Sequence, residues 1–349
     1  MSAHAHALAR VQLELDAGMI TPEIAAAAAQ AASWIADCRA PNTRKLYEQQ
    51  WAAWVAHCRA RGICPRPVSP VELVVYLTQL SMGTGTRPAA RPNSVRSALT
   101  AISVIDQLAR VTDDDPDPMP VRSDQRVKAW QKGYARAFPR GKETRAPAMT
   151  GDELERILRA AQERPKNVSA SAHVAAYARD RAMLLAGITA ALRVSELVAL
   201  DVDDVRLVER GIVLRVLRRK TAGEYVELGV MPSGRAIRCP VDAILSWRRI
   251  RGERPGALFV GVSRDGSLSE ERLTDSSARR LVERRAQAAG IDLTSHSLRA
   301  TFATLATVKR VPITTIMKHG GWQSVSTVKD YVRQGNLFDD NPTSGILDD

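Results

Sequence analysis

Apolar side chains recur at helical spacing through roughly the first 138 residues. Val95, Leu99, Ile102 and Ile105 share one face of a helix that Ser94 is placed to cap. Leu46, Trp51 and Trp54 supply the buried face of another, opened by Asn42 and Thr43. "SPVELVVYLTQLS" reads as a third, with Ser69 at its cap and Pro70 at its first position. Thr21 and Pro22 start a helix through the alanine-rich stretch, and one more is expected around Val127–Ala137. This part is therefore all-helical, with about five helices. Residues 1–20 ahead of it read as a flexible arm.

The pattern changes at Pro139–Met149, a charged stretch with proline near both ends and no apolar period, which reads as a linker. Thr150 with Glu153 then forms a capping-box signature that opens a second domain. Helices are expected at 151–163 and 171–190. "GIVLRVLRRK" and "EYVELGV" form the one clear β segment, a hairpin around Thr221-Ala222-Gly223. Helices return from Val241 onward. The fold class is mainly α with a small β-sheet. The expected division is an arm at 1–20, a helical domain at 21–138, a linker at 139–149, a second domain at 150–335 and a tail at 336–349.

Composition adds a partner. Among 349 residues, 50 Lys and Arg exceed 38 Asp and Glu, for a net charge of +12, which suits a polyanion or simply a basic enzyme. Four cysteines form no CxxC pair, so neither a disulfide framework nor a zinc site is expected. No apolar run approaches the roughly 18 residues of a membrane span. The alanine run Ala25–Ala29 is too short for a signal peptide and follows no basic segment. These readings point to a cytoplasmic protein with no membrane contact.

Three segments carry side chains suited to chemistry. "ALRVSELVAL" sets Arg193 and Glu196 three apart on a helical face, a spacing that most often makes a surface salt bridge. "SHSLRATF" repeats the spacing with His296 and Arg299, a pairing that is awkward unless an anion lies between them. "KHGGWQSVSTVKDYVRQ" adds His319, Trp322 and Tyr331. Taken together, two arginines, a histidine, an indole N–H and a phenol fit a phosphodiester. Arginine donates bidentate hydrogen bonds to non-bridging oxygens, and tyrosine supplies a nucleophile. No acidic cluster resembles a two-metal nuclease site, so chemistry without metal or other cofactor is favoured.

These segments resemble the catalytic boxes of the tyrosine recombinase, or phage integrase, family. The order is Arg193, Lys220 in a β-hairpin, His296-x-x-Arg299, Trp322 and Tyr331. The resemblance runs from about residue 150 to the C-terminus, and the helical first part is similar to that family's SAM-like core-binding domain. Tryptophan nine residues before the tyrosine is in the style of Cre-like members. One departure is Ala191, where the family often has glycine before "LR". The resemblance implies that Tyr331 attacks a DNA phosphate to give a 3′-phosphotyrosyl link. Arg193, His296, Arg299 and Trp322 hold the phosphoryl oxygens. Lys220 protonates the leaving oxygen, and Glu196 and His319 support their neighbours. Nine residues of unbroken helix would hold Trp322 and Tyr331 roughly 13 Å apart. A break capped by Ser324 or Ser326 is therefore expected.

The resemblance also implies a double-stranded DNA target with inverted repeats and a homotetramer on two such sites, with accessory proteins left open. A C-shaped clamp of two domains would spread DNA contacts over three helix starts. Thr43, Arg44 and Lys45 form one, Ser94, Arg96 and Ser97 the second, and Ser277, Arg279 and Arg280 the third. Leu337, Phe338, Ile346 and Leu347 in the acidic tail are expected to dock on a neighbouring protomer. Rival readings are a type IB topoisomerase, a telomere resolvase, and a DNA-binding architectural factor with relic residues. A covalent adduct separates the last from the enzymes.

Overall fold

The structure of the protein is a computed structural model. The structure describes residues 26, 41–85, 88–112, 120–139, 147–218, 224–294, 296–326 and 328. The chain divides into two compact units, residues 1–143 and 144–349. The expected arm at 1–20, the tail at 336–349, Lys220 and Tyr331 lie outside the described residues.

Among the described residues the first unit holds α1 (Pro41–Ala60), α2 (Pro70–Met82), α3 (Pro92–Thr112) and α4 (Gln125–Ala137). Its core gathers Trp54, Leu73, Leu77, Val95, Leu99, Ile102 and Val127. Trp51 packs at the edge of that core, while Leu46, expected on the buried face of α1, is exposed. Two helix starts also differ from expectation. α1 begins at Pro41 and α3 at Pro92, so Ser94 lies inside the first turn and does not cap. Proline has no N–H to leave unsatisfied at a helix start, and its fixed φ suits the first position. Ser69 does cap α2, accepting from the Glu72 N–H.

The second unit opens with α5 (Gly151–Ala160), whose capping box forms as its sequence implies. Glu153 accepts from the Thr150 N–H at 2.7 Å, and the Thr150 hydroxyl accepts from the Glu153 N–H at 3.2 Å. α6 (Ala170–Thr189) follows, and every residue from 178 to 188 in it is buried. A helix apolar nearly all round sits inside a core. Three charged residues nonetheless lie in that run. Asp180 bridges Arg179 and Arg285, each at 2.7 Å, and Arg181 reaches Asp242 at 2.8 Å.

α7 (Val194–Ala199) leads into an antiparallel sheet of β1 (Val205–Val208), β2 (Gly211–Arg218) and β3 (Glu224–Val230). Ile212, Leu214 and Val216 alternate inward and meet α6 and α8 (Pro240–Arg251) in one core. β2 and β3 stay paired to the last rung, Arg218 opposite Glu224. The expectation of a single β segment followed only by helices does not hold. β1 precedes the hairpin, and β4 (Val260–Val262) pairs with β5 (Leu268–Arg272) after α8. These strands are too short, and too exposed in β5, to show an alternation. α9 (Asp275–Ala288), α10 (Ser297–Val308) and α11 (Ile313–Gly320) complete the described elements. No helix among the described residues is long and apolar enough to cross a membrane.

Candidate active site

Arg193 does not share a helical face with Glu196. It is the extended residue just before α7, at φ −71° and ψ 154°, and Glu196 is the third helical residue. One Glu196 oxygen accepts the Arg193 backbone N–H at 2.9 Å, and the other accepts the Arg193 guanidinium. The arginine is thus fastened at both ends by one carboxylate. An ionised acceptor strengthens each of these bonds. The pair is not a loose surface bridge, because Glu196 is only 4% exposed.

Arg218 completes this arrangement. Its Nη1 donates to Glu196 Oε2 at 2.9 Å, and its Nη2 donates to the His319 carbonyl at 2.9 Å. Both members of the Arg218–Glu196 pair are below 5% exposed, at 3% and 4%. Burial pulls the Arg218 guanidinium below its usual value, and Glu196 opposes that pull. None of the three motif segments contains Arg218. The strand alternation held the signal: Ile212, Leu214 and Val216 point inward, and Arg218 shares their parity.

Arg299 lies on α10 and is buried. It donates through Nη1 to the Ala191 carbonyl and through Nη2 to the Gly320 carbonyl, the latter at 2.9 Å. Its Cζ stands 4.3 Å from the centre of the Trp322 ring, within cation–π range. The indole is seated by Gly320, where a Cβ would fall 1.8 Å from Trp322 Cζ3. His319 is turned the other way. Its Nε2 donates to the Thr189 carbonyl at 2.8 Å, and its ring stacks on Phe302 at 4.9 Å. Burial lowers its pKa, and the nearby Arg218 charge adds to that, against the Thr189 bond.

Arg193, Glu196, Arg218, His319, Arg299 and Trp322 therefore form one connected group. It is closed through the carbonyls of Thr189, Ala191, His319 and Gly320. His296 stands exposed at the start of α10, three residues before Arg299. The chain leaves helical geometry after Gly320, ahead of Trp322, and returns to it at residue 325, with the Ser324 hydroxyl accepting from the Ser326 N–H at 3.2 Å.

The residues expected to touch DNA fare unevenly. Arg279 and Arg280 are exposed on α9, and Lys45 and Ser94 are exposed near the starts of α1 and α3. Thr43, Arg44 and Ser97 are half-buried. Arg96 donates to Asn93 and to the Phe138 carbonyl and lies over the Tyr134 ring, so it ties α3 to the end of α4. Ser277 belongs to the Thr274 cap of α9.

The model of the phage integrase family matches residues 147–336. An integrase/recombinase xerD homolog from Selenomonas ruminantium is 28% identical over 311 residues, covering 87% of this chain and 84% of that protein. Tyrosine recombinase XerA from Thermococcus kodakarensis is 30% identical over 53% of this chain and 57% of its own length. Among solved structures, XerH site-specific recombinase bound to palindromic difH substrate aligns with a TM-score of 0.57. It is 17% identical and covers 94% of this chain and 84% of that one, a likeness of fold.

Proposed function

The chain belongs to the phage integrase family, and from that membership we propose that Tyr331 is the nucleophile with which this tyrosine recombinase breaks and rejoins DNA. The observation that carries the reading is the connected group around Arg193 and Arg299. Both guanidinium groups are held by protein acceptors before any substrate arrives, Arg193 by Glu196 and Arg299 by two carbonyls. Donors fixed in advance on a developing negative charge are worth about 3 kcal/mol each.

In the step proposed, the Tyr331 oxygen bonds to phosphorus and the bond from phosphorus to the 5′ oxygen breaks. The phenolic proton leaves with help from His296. Lys220 gives a proton to the departing 5′ oxygen, which becomes a hydroxyl. Arg193, Arg299, His296 and the Trp322 indole N–H steady the non-bridging oxygens. The ester bond survives in the protein–DNA link, so the reverse attack by a 5′-hydroxyl of a partner strand needs no ATP. The reaction would run in the cytoplasm, on the nucleoid, in a homotetramer holding two inverted-repeat sites. DNA contacts would fall at the helix starts carrying Lys45, Ser94 and Arg279. The apolar tail residues would dock on a neighbour.

Recovering and sequencing DNA covalently attached to the protein tests the core of this reading. A nicked duplex of the recovered sequence should trap the adduct, and Tyr331→Phe should abolish it. An adduct that persists in the phenylalanine variant overturns the assignment. In the same assay Trp322→Ala should cost more than His319→Ala. Removing the residues after Arg333 should leave single-site binding intact and end synapsis.

A further inference from the structure

We propose that Arg218 is a positioning residue for Arg193: by sharing the Glu196 carboxylate it fixes that carboxylate in place and leaves the Arg193 guanidinium positive and open to a phosphate. This rests on the reading that Arg193 steadies a non-bridging oxygen of the scissile phosphate. The residues that carry it, Arg193, Glu196, Arg218 and His319, all belong to the second unit.

The two oxygens of Glu196 are divided between the arginines. Oε1 accepts from Arg193 Nη1, while Oε2 accepts from the Arg193 backbone N–H and from Arg218 Nη1, each of these two at 2.9 Å. An arginine alone with a carboxylate often closes on it through two parallel bonds, one to each oxygen. Arg218 takes Oε2 and leaves the Arg193 guanidinium one hydrogen bond among the described residues. Its other N–H groups then remain for a ligand. Arg218 itself is tied down, because Nη2 donates to the His319 carbonyl at 2.9 Å and its backbone is paired with Glu224.

Charge points the same way. Arg193 with Glu196 alone would be a neutral pair, poorly suited to a phosphate. Two arginines on one carboxylate leave a positive charge over. Burial pulls the Arg218 guanidinium below its usual value, Glu196 opposes that, and the Arg193 charge adds to the pull, so the two cations feel one another. Exposure divides their roles. The Arg193 side chain is 23% exposed and that of Arg218 only 3%, so Arg193 is the member that can meet a ligand. An apolar side chain would fill an inward strand position at less cost than a buried guanidinium, which argues that the charge serves more than packing. Lysine at this position keeps the charge but loses the planar fork that reaches a carboxylate and a carbonyl together.

The test compares cleavage of two versions of the nicked duplex, one with the ordinary scissile phosphate and one with a methylphosphonate there. The methyl group replaces a charged non-bridging oxygen, so a defect in the arginine pair matters less on that duplex. The ratio of methylphosphonate to phosphate cleavage rates does not depend on how much of a variant is folded. Arg193→Ala should slow cleavage of the phosphate by about 10²–10³ and raise the ratio at least about tenfold. Arg218→Met should raise it at least about tenfold, and Arg218→Lys, which keeps the charge, at least about threefold. Adding Arg218→Met to Arg193→Ala should raise the ratio no further, because the two act as one unit. A rise for Arg193→Ala with none for either Arg218 variant overturns this inference alone, as does a further rise in the double variant. No rise for Arg193→Ala overturns the assignment of Arg193 and, with it, the role of Arg218.

Discussion

Ala191 holds a backbone conformation that side chains avoid. Its φ is 49°, and it sits just past the end of α6. Its N–H reaches the Ile188 carbonyl and the Leu192 N–H reaches the Gly187 carbonyl, the double closure that usually recruits glycine. The bend aims the Ala191 carbonyl at Arg299. Ala191→Gly relieves about 1–2 kcal/mol of left-handed strain. It gives back about 0.8 for a buried methyl and about 0.4–1 in unfolded-chain entropy. Unfolding in urea should therefore place it within about 1 kcal/mol of the parent, whereas Ala191→Val, overpacked and β-branched at positive φ, should cost at least about 2. A tolerated valine would show that the turn carries no strain. His319 gives a pH dependence. Its folded pKa lies below the ordinary 6.5, so the unfolded state binds more protons and stability rises with pH through that window. The contribution is whole above 6.5 and is lost as pH falls through 6.5 toward the lower folded value. The urea midpoint should drop between about pH 7.5 and about pH 5.5, and drop less in His319→Phe. Equal drops would remove His319 as the cause.

The end of α11 repeats the device of α6. Gly321 takes the left-handed position at φ 65°, and the Trp322 N–H closes back on the Met317 carbonyl at 3.0 Å. Two helix ends, each turned by a left-handed residue, thus point carbonyls at Arg299 and Arg218 and deliver Trp322 to the face of Arg299. Gly320 is part of this fit because the indole lies where its Cβ would be. Gly320→Ala must move the ring off Arg299. It should cost about 1–3 kcal/mol of stability and at least tenfold in cleavage. Gly321→Ala meets Arg218 at an ordinary contact distance and should cost about 1 kcal/mol through its φ alone. Equal cleavage by the Gly320 variant and its parent would mean that the stacked ring is not needed.

Across the full chain, the excess of basic residues gives a net charge of +12. Binding to a polyanion should then weaken steeply with salt. A protein neutralising about 6–10 phosphates loses about 10³–10⁵ in affinity between about 50 and about 200 mM salt. Anisotropy of labelled duplex DNA should show that fall, and replacing Arg279 and Arg280 with alanine should flatten the log–log slope by about 2. An unchanged slope would take α9 out of the interface. A flat parent curve would count against the charge reading as a whole.

Local chemistry was legible in the sequence. Thr150 with Glu153, Ser69 with Pro70, and the period of Val95, Leu99 and Ile102 specify helices through contacts within a turn or two, which any reader of the chain can apply. The order of Arg193, Lys220, His296, Arg299, Trp322 and Tyr331 likewise pointed to the family. Tertiary structure alone decided that Arg218 is buried and what it holds. The bond from Arg218 to His319 spans 101 residues, and that from Arg299 to Ala191 spans 108. Such partners have no signature in local spacing, because they meet only when α6, α7, β2, α10 and α11 pack around one core.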